Sequence, residues 1–195
     1  MTKMKVDWEK IYQGTQTWSI TPSLYVKYFV RYLRKKDVVL DLGCGTGRDC
    51  IPLAKAGFRP IGIDISKKAI ETAIINSRRA GVKIHYDIGE AENLPYSNAF
   101  FDAVYSGFTL QSSDLKKASK EVARVLRPGG IAFCPMLLTT VWLANSKKET
   151  YYKIPEILNS FKKNFKILKV KEYETLDKLP KLHRHRALLL IMRRR

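Results

Sequence analysis

The stretch Val38-Val39-Leu40-Asp41-Leu42-Gly43-Cys44-Gly45-Thr46-Gly47 decides the fold of this chain. Four apolar residues around one acid, opening on two β-branched side chains, predict an interior strand of a parallel sheet. Three glycines at alternate positions follow. Without Cβ atoms they let the backbone bend sharply and let a ligand lie against it. The apolar pattern after Gly47 has helical spacing, so unsatisfied N–H groups gather at the turn and suit an anionic group such as a carboxylate or phosphate. Asp64 ends the next apolar run, Ile61-Gly62-Ile63, 23 residues beyond Asp41. A dinucleotide-type fold places a ribose-binding carboxylate at about that separation. Strand, glycine turn and acid together point to a nucleotide-like cofactor.

Outward from this stretch, strand and helix patterns alternate. The spacing predicts strands over 38–42, 59–65, 83–88, 101–106 and 130–138, with helices over 48–56, 67–80 and 114–126 between them. Such alternation means a parallel sheet covered by helices on both faces. An amphipathic helix over 22–35, with Thr21 as cap and Pro22 at its first position, precedes the first strand. After residue 138 the pattern gives a helix over 154–163 and strands over 165–174 and 186–192, with a His-rich connection between these strands. The expected organisation is one domain: an N-terminal cap and helix (1–36), a cofactor-binding core (37–138), and a C-terminal substrate-side region (139–195).

The glycine spacing selects the cofactor. A nicotinamide fingerprint, G-x-G-x-x-G counted from Gly43, would need glycine where Arg48 stands. The observed Asp41-Leu42-Gly43-Cys44-Gly45-Thr46-Gly47 resembles the first motif of class I S-adenosylmethionine-dependent methyltransferases. The resemblance continues through Gly62-Ile63-Asp64-Ile65-Ser66, Gly89-Glu90-Ala91-Glu92-Asn93-Leu94-Pro95-Tyr96, Phe101-Asp102-Ala103-Val104-Tyr105-Ser106 and Glu121-Val122-Ala123-Arg124-Val125-Leu126-Arg127-Pro128-Gly129-Gly130. These motifs look like the type 11 methyltransferase domain, and the likeness covers residues 8–138 well and the rest more thinly. It implies a Rossmann-like, doubly wound sheet of seven mostly parallel strands with the last strand antiparallel. It also implies S-adenosylmethionine as cofactor and S-adenosylhomocysteine as product.

By this resemblance, Gly43, Cys44, Gly45, Thr46 and Gly47 hold the methionine half of the cofactor, with Asp41 close by. Asp64 accepts from both ribose hydroxyls, which two carboxylate oxygens match well; as a bare sequence feature it also reads as a helix cap. Ile65 packs on the adenine. Glu90 stands where the family usually has Asp, and reads equally as an exposed loop glutamate that leaves adenine recognition to the N–H of Ala91. Ser106 ends the fourth strand beneath the reacting sulfonium. Phe108 and Gln111 follow on the substrate side, Gln111 replacing a His of many relatives. The place of an amino-methylating Asn/Asp-Pro-Pro-aromatic sequence reads Ser106-Gly107-Phe108-Thr109, which argues against that subclass. Trp8, Tyr12 and Trp18 either form a lid over the cofactor or tuck the N-terminal arm onto the core; Trp18 is the expected cofactor-side lid residue and Tyr12 a substrate-side one. His183 and His185 share one strand face and are substrate candidates. Arg184 and Arg186 beside them disfavour a metal ion, and no metal site is expected. No catalytic side chain is named, because an activated sulfonium requires mainly in-line alignment.

The formal net charge is +18, and residues 147–195 hold 15 Lys or Arg against 5 Asp or Glu. That excess reads either as a solvated basic surface or as a site for RNA or DNA. Three cysteines, Cys44, Cys50 and Cys134, make no disulfide framework and suggest a reducing, cytoplasmic setting. The apolar run from Ala187 to Met192 is far short of the ~20 residues a membrane span needs, and no signal-like apolar core opens the chain. A soluble protein with no membrane partner is expected, acting on a small-molecule acceptor. The competing readings are methylation of RNA or protein through the basic C-terminal surface, and a cofactor-binding regulatory protein without turnover.

Overall fold

In the computed structural model, which describes residues 6–14, 20–142, 147–177 and 183–195, the opening stretch forms β1 (Val38–Leu42) within an eight-stranded sheet. β2 (Arg59–Asp64), β3 (His85–Ile88), β4 (Phe101–Tyr105) and β5 (Leu126–Trp142) run parallel to it. β8 (His183–Arg194) lies antiparallel between β5 and β7 (Phe165–Asp177), giving the order β3-β2-β1-β4-β5-β8-β7. These are the seven strands expected, with the last one antiparallel. A short eighth strand, β6 (Lys147–Thr150), was not foreseen; it pairs antiparallel with the far end of β5.

Strand alternation divides the core into two layers. Val39 of β1 packs with Ala103, Tyr105, Phe133 and Ile191 under α2 (Leu24–Phe29) and α3 (Cys50–Lys55). Leu40 and Leu42 point the other way, into a cluster with α5 (Leu115–Val125) and α6 (Ile154–Phe161). α4 (Lys67–Arg79) crosses between β2 and β3, and its Ile70 joins Cys44 and Cys50 in a third cluster. Both faces are therefore covered, as buried parallel strands require.

Three expectations need correction. The helix expected over 22–35 is α2 followed by a 3₁₀ turn at Val30–Tyr32, and Ser23 rather than Thr21 caps it, accepting from Val26 N at 3.3 Å. It stops early because the Arg34 N–H donates to the Asp37 carboxylate at 2.8 Å, closing a turn in place of another helical bond. The strands after residue 126 are longer than their apolar runs. β5 and β8 stay paired out to Trp142 and His183, because cross-strand bonding continues where the side chains turn polar. Consequently the His-rich segment is not a connection: His183 and His185 lie within β8.

Candidate functional site

The site is built at the carboxyl ends of β1, β2 and β4. Past Leu42 the chain takes left-handed backbone angles at Gly43, Gly45 and Gly47, with φ of 75°, 53° and 79°. Those values alone favour glycine. The N–H groups of Gly43 and Cys44 both donate to the Ile63 carbonyl, at 2.8 and 3.0 Å, which ties the loop to β2. Each glycine also has a close neighbour where a Cβ would stand: the Thr109 side chain at Gly43, the Tyr12 hydroxyl at Gly45 and the Tyr86 hydroxyl at Gly47. The missing Cβ atoms thus leave room that side chains from three distant segments approach.

Asp64 ends β2 with 8% of its surface exposed. One carboxylate oxygen accepts from Gly45 N at 2.9 Å and the other from Ser66 N at 3.0 Å. Burial raises its pKa and these backbone donors oppose the shift. Each oxygen keeps a further lone pair for an incoming hydroxyl. Ser66, not Asp64, supplies the α4 cap, accepting from Ala69 N at 3.1 Å. Of the two sequence readings for Asp64, the helix cap is therefore excluded.

Asp41 is buried behind the loop, where its carboxylate accepts from the Cys50 thiol at 3.1 Å. Burial first, and the neighbouring Asp49 charge second, push its pKa up to about 7. Asp49 is itself held by Ser23 N at 2.7 Å and lies 3.8 Å from Arg48. Thr46 is buried, and its carbonyl accepts from Asn76 Nδ2 at 3.0 Å.

Past β2, Ile65 is 46% exposed, as suits a contact with something outside the core. Across from it a cavity of about 320 Å³ is lined by Ile88, Gly89, Glu90, Asn93 and Pro95. Glu90 is exposed there and Ala91 is buried beneath it. The loop carrying both is pinned by Arg124, which donates to the carbonyls of Leu94 and Tyr96 at 2.8 and 2.6 Å and to both oxygens of Glu121.

At the end of β4, Ser106 is fully buried, and its hydroxyl has no hydrogen-bond partner among the described residues. A buried polar atom in that state points to a ligand or solvent contact. Phe108 is bent to φ 57°, with its N–H on the Pro135 carbonyl at 2.9 Å. Its ring meets Tyr25 edge-on at 5.3 Å, and Tyr25 in turn lies 5.9 Å from Tyr173 of β7. Gln111 is buried and donates to the Phe108 carbonyl. The aromatic trio had no sequence signal, since Tyr25 reads there as helix core and Tyr173 as a strand residue 148 positions away.

From the N-terminal segment, α1 (Trp8–Gln13) docks on α4 through Glu9, which accepts from Ser66 Oγ at 2.7 Å and Lys68 N at 3.2 Å. Those bonds lower the Glu9 pKa. The docking lays Tyr12 over Gly45, and burial beside Asp64 pushes its phenol pKa up. Trp18 lies outside the described residues. Tyr12 therefore lies against the glycine turn, its hydroxyl beside Gly45.

The histidines stand apart. His183 and His185 pack edge-on at 4.4 Å on one face of β8, and His185 Nδ1 is 2.9 Å from Thr140 Oγ1. Tyr151 extends the group, 3.4 Å from Thr140 and donating to Glu149 at 3.2 Å. Thr140 lies five residues beyond Pro135 on β5, on the order of 16 Å along a strand at ~3.3 Å per residue. The pair shares a strand face as expected but is not gathered with Ser106, Phe108 and Gln111. Among the described residues no cluster of His, Cys, Asp or Glu could hold a metal ion, and no helix is long and apolar enough to cross a membrane.

The chain is similar in sequence and fold to known proteins. Residues 39–130 match a family described as a methyltransferase domain. The chain is 30% identical over 145 residues to the O-methyltransferase resE of Aspergillus sclerotiorum, covering 72% of this chain and 52% of that one. It is 38% identical over 102 residues to the 27-O-demethylrifamycin SV methyltransferase of Amycolatopsis mediterranei, covering 50% and 38%. The chain thus spans about half or less of the length of these relatives. Among solved structures, a protein studied for conversion of a disulfide bond into a thioacetal group during echinomycin biosynthesis superposes with a TM-score of 0.80. It has 22% identity, over 98% of this chain and 93% of that one.

Proposed function

Because residues 39–130 form a class I, S-adenosylmethionine-dependent methyltransferase domain, we propose that this chain moves the methyl group of that donor onto a nucleophilic atom of a small molecule. The observation that carries the reading is the Asp64 carboxylate, locked by Gly45 and Ser66 N–H groups at the end of β2 beside a three-glycine turn. Its remaining lone pairs suit the two ribose hydroxyls. The turn from Gly43 to Gly47, with Cys44 and Thr46, borders the methionine end, and the Asp41 carboxyl lies buried behind it. Ile65, Ala91 and Glu90 surround the adenine at the cavity lined by Gly89 and Pro95. The buried Ser106 hydroxyl faces the reacting end.

When bound, the donor supplies a methyl group already activated on sulfur. The chain's own task is to align the acceptor in line with that methyl and to exclude water, and such alignment can supply up to ~7–11 kcal/mol of barrier reduction. Tyr25, Phe108 and Tyr173 make an aromatic wall next to Gln111 on the acceptor side. A flat, partly apolar acceptor fits that wall. One relative named above is an O-methyltransferase and the other is named for a small-molecule acceptor, 27-O-demethylrifamycin SV, which supports the same class. No general base is required, and none is assigned.

The test is titration calorimetry with S-adenosylhomocysteine on the chain and on Asp64→Ala. Binding by the first and none by the second supports the reading. Equal affinity would remove Asp64 from the site, and absence of binding to the unmodified chain would sink the proposal.

A further inference from the structure

The sheet face under α2 continues outward over β8 and β7, where its character changes. Lys166, Lys169 and Lys171 of β7 and Arg193 of β8 all stand exposed on it. A register step leaves Leu168 unpaired, so Lys166 opposite Arg193 and Lys169 opposite Ile191 share one face although three residues apart. The carboxylates Glu172 and Glu174 fall on the opposite face, with Glu172 paired to Arg186. Sorting of this kind is not what a uniformly lysine-rich surface gives.

α2 borders this strip, joined to β7 by the Tyr25–Tyr173 contact. It buries Val26 and Phe29 and turns outward Leu24, 69% exposed, and Tyr28, 53% exposed, with Ile20 just before it at 68%. Lys27 and Arg31 flank that row, and the Arg31 guanidinium lies 5.4 Å over the Tyr28 ring. Exposed Arg34, Lys35 and Lys36 follow, and residues 20–36 contain no Asp or Glu. Apolar side chains in a row between cations, with no carboxylate among them, make a surface of defined chemistry.

We propose that this face docks on an anionic lipid bilayer, with Ile20, Leu24 and Tyr28 entering the headgroup boundary and the flanking cations meeting lipid phosphates. A nucleic-acid strand would use the cations and the tyrosine rings but has no use for an exposed isoleucine and leucine. The proposal stands apart from the methyl-transfer reading, since neither donor nor acceptor enters it.

Sedimentation of the full chain with vesicles tests it. Phosphatidylcholine vesicles should leave the protein in solution, and vesicles with added phosphatidylglycerol should carry it down at low salt and release it at high salt. At about five-fold in partition per cation, Lys27→Gln with Arg31→Gln should weaken binding about 25-fold. Leu24→Ser with Tyr28→Ser should weaken it several-fold at low salt with an unchanged thermal midpoint, because both side chains face solvent. Four results would overturn the proposal: no sedimentation, equal binding to neutral vesicles, undiminished binding by the Leu24/Tyr28 variant, or displacement from vesicles by a single-stranded RNA oligonucleotide.

Discussion

Asp41 offers the sharpest test of the site's electrostatics. Its carboxyl is buried, it accepts one bond from the Cys50 thiol, and Asp49 stands behind it; together burial and that charge lift its pKa from 3.8 to about 7. A folded-state pKa above the unfolded one means that the native state binds the proton more tightly. The resulting stabilisation is complete below about pH 4 and is lost as pH rises through about 7. The shift of roughly three units corresponds to about 4 kcal/mol, a ceiling because Asp49 shares the repulsion. Most of the loss, about 2–3 kcal/mol, falls between about pH 5 and about pH 8. Asp41→Asn keeps an acceptor for the Cys50 thiol and removes the titration. Urea unfolding of both proteins across that range should show the variant gaining on the parent as pH rises, until it is the more stable near pH 8. The parent's other titrating groups are common to both, so the difference isolates position 41. Parallel pH profiles for the two proteins would refute the claim that Asp41 is a strained buried acid.

Further outcomes follow from the same geometry. Gly45→Ala adds a Cβ that meets the Tyr12 hydroxyl at 2.6 Å and must keep φ 53°, so it should cost about 1–2 kcal/mol or more in unfolding experiments. Pairing it with Tyr12→Ala should recover part of that loss. Arg124→Ala removes charged bonds to the Leu94 and Tyr96 carbonyls and to Glu121, with an expected cost of about 2–3 kcal/mol. It should also weaken S-adenosylhomocysteine binding, because the loop bearing Glu90 and Ala91 loses its anchor; unchanged affinity in calorimetry would contradict that link. Tyr25→Ala should leave that affinity within about two-fold while lowering kcat/KM for any acceptor turned over. A matching loss of cofactor affinity would place Tyr25 on the wrong side of the site.

Much of this was legible in the chain itself. The run 38–47 had one physical solution, a buried strand followed by a turn that only glycine tolerates, and the observed φ values at Gly43, Gly45 and Gly47 bear that out. The position of Asp64 followed from the same local argument, since strand length and the next helix start are short-range properties. Local patterning also placed β1 to β4 and α4 to within two residues of their observed ends.

What the tertiary structure alone decided lies between segments distant in sequence. Glu9 reaches Ser66 across 57 positions, and Tyr25 meets Tyr173 only because α2 covers β5 while β8 brings β7 alongside. The extension of β5 and β8 depends on paired backbone groups, which bond regardless of side-chain polarity, so no apolar period announces it. The unpaired Leu168 is likewise a property of two strands at once, and it alone gathers the lysines of β7 onto one face. Residue identity sets what each position tolerates over a few neighbours; register and packing, which arise only when strands meet, set which tolerated groups come together.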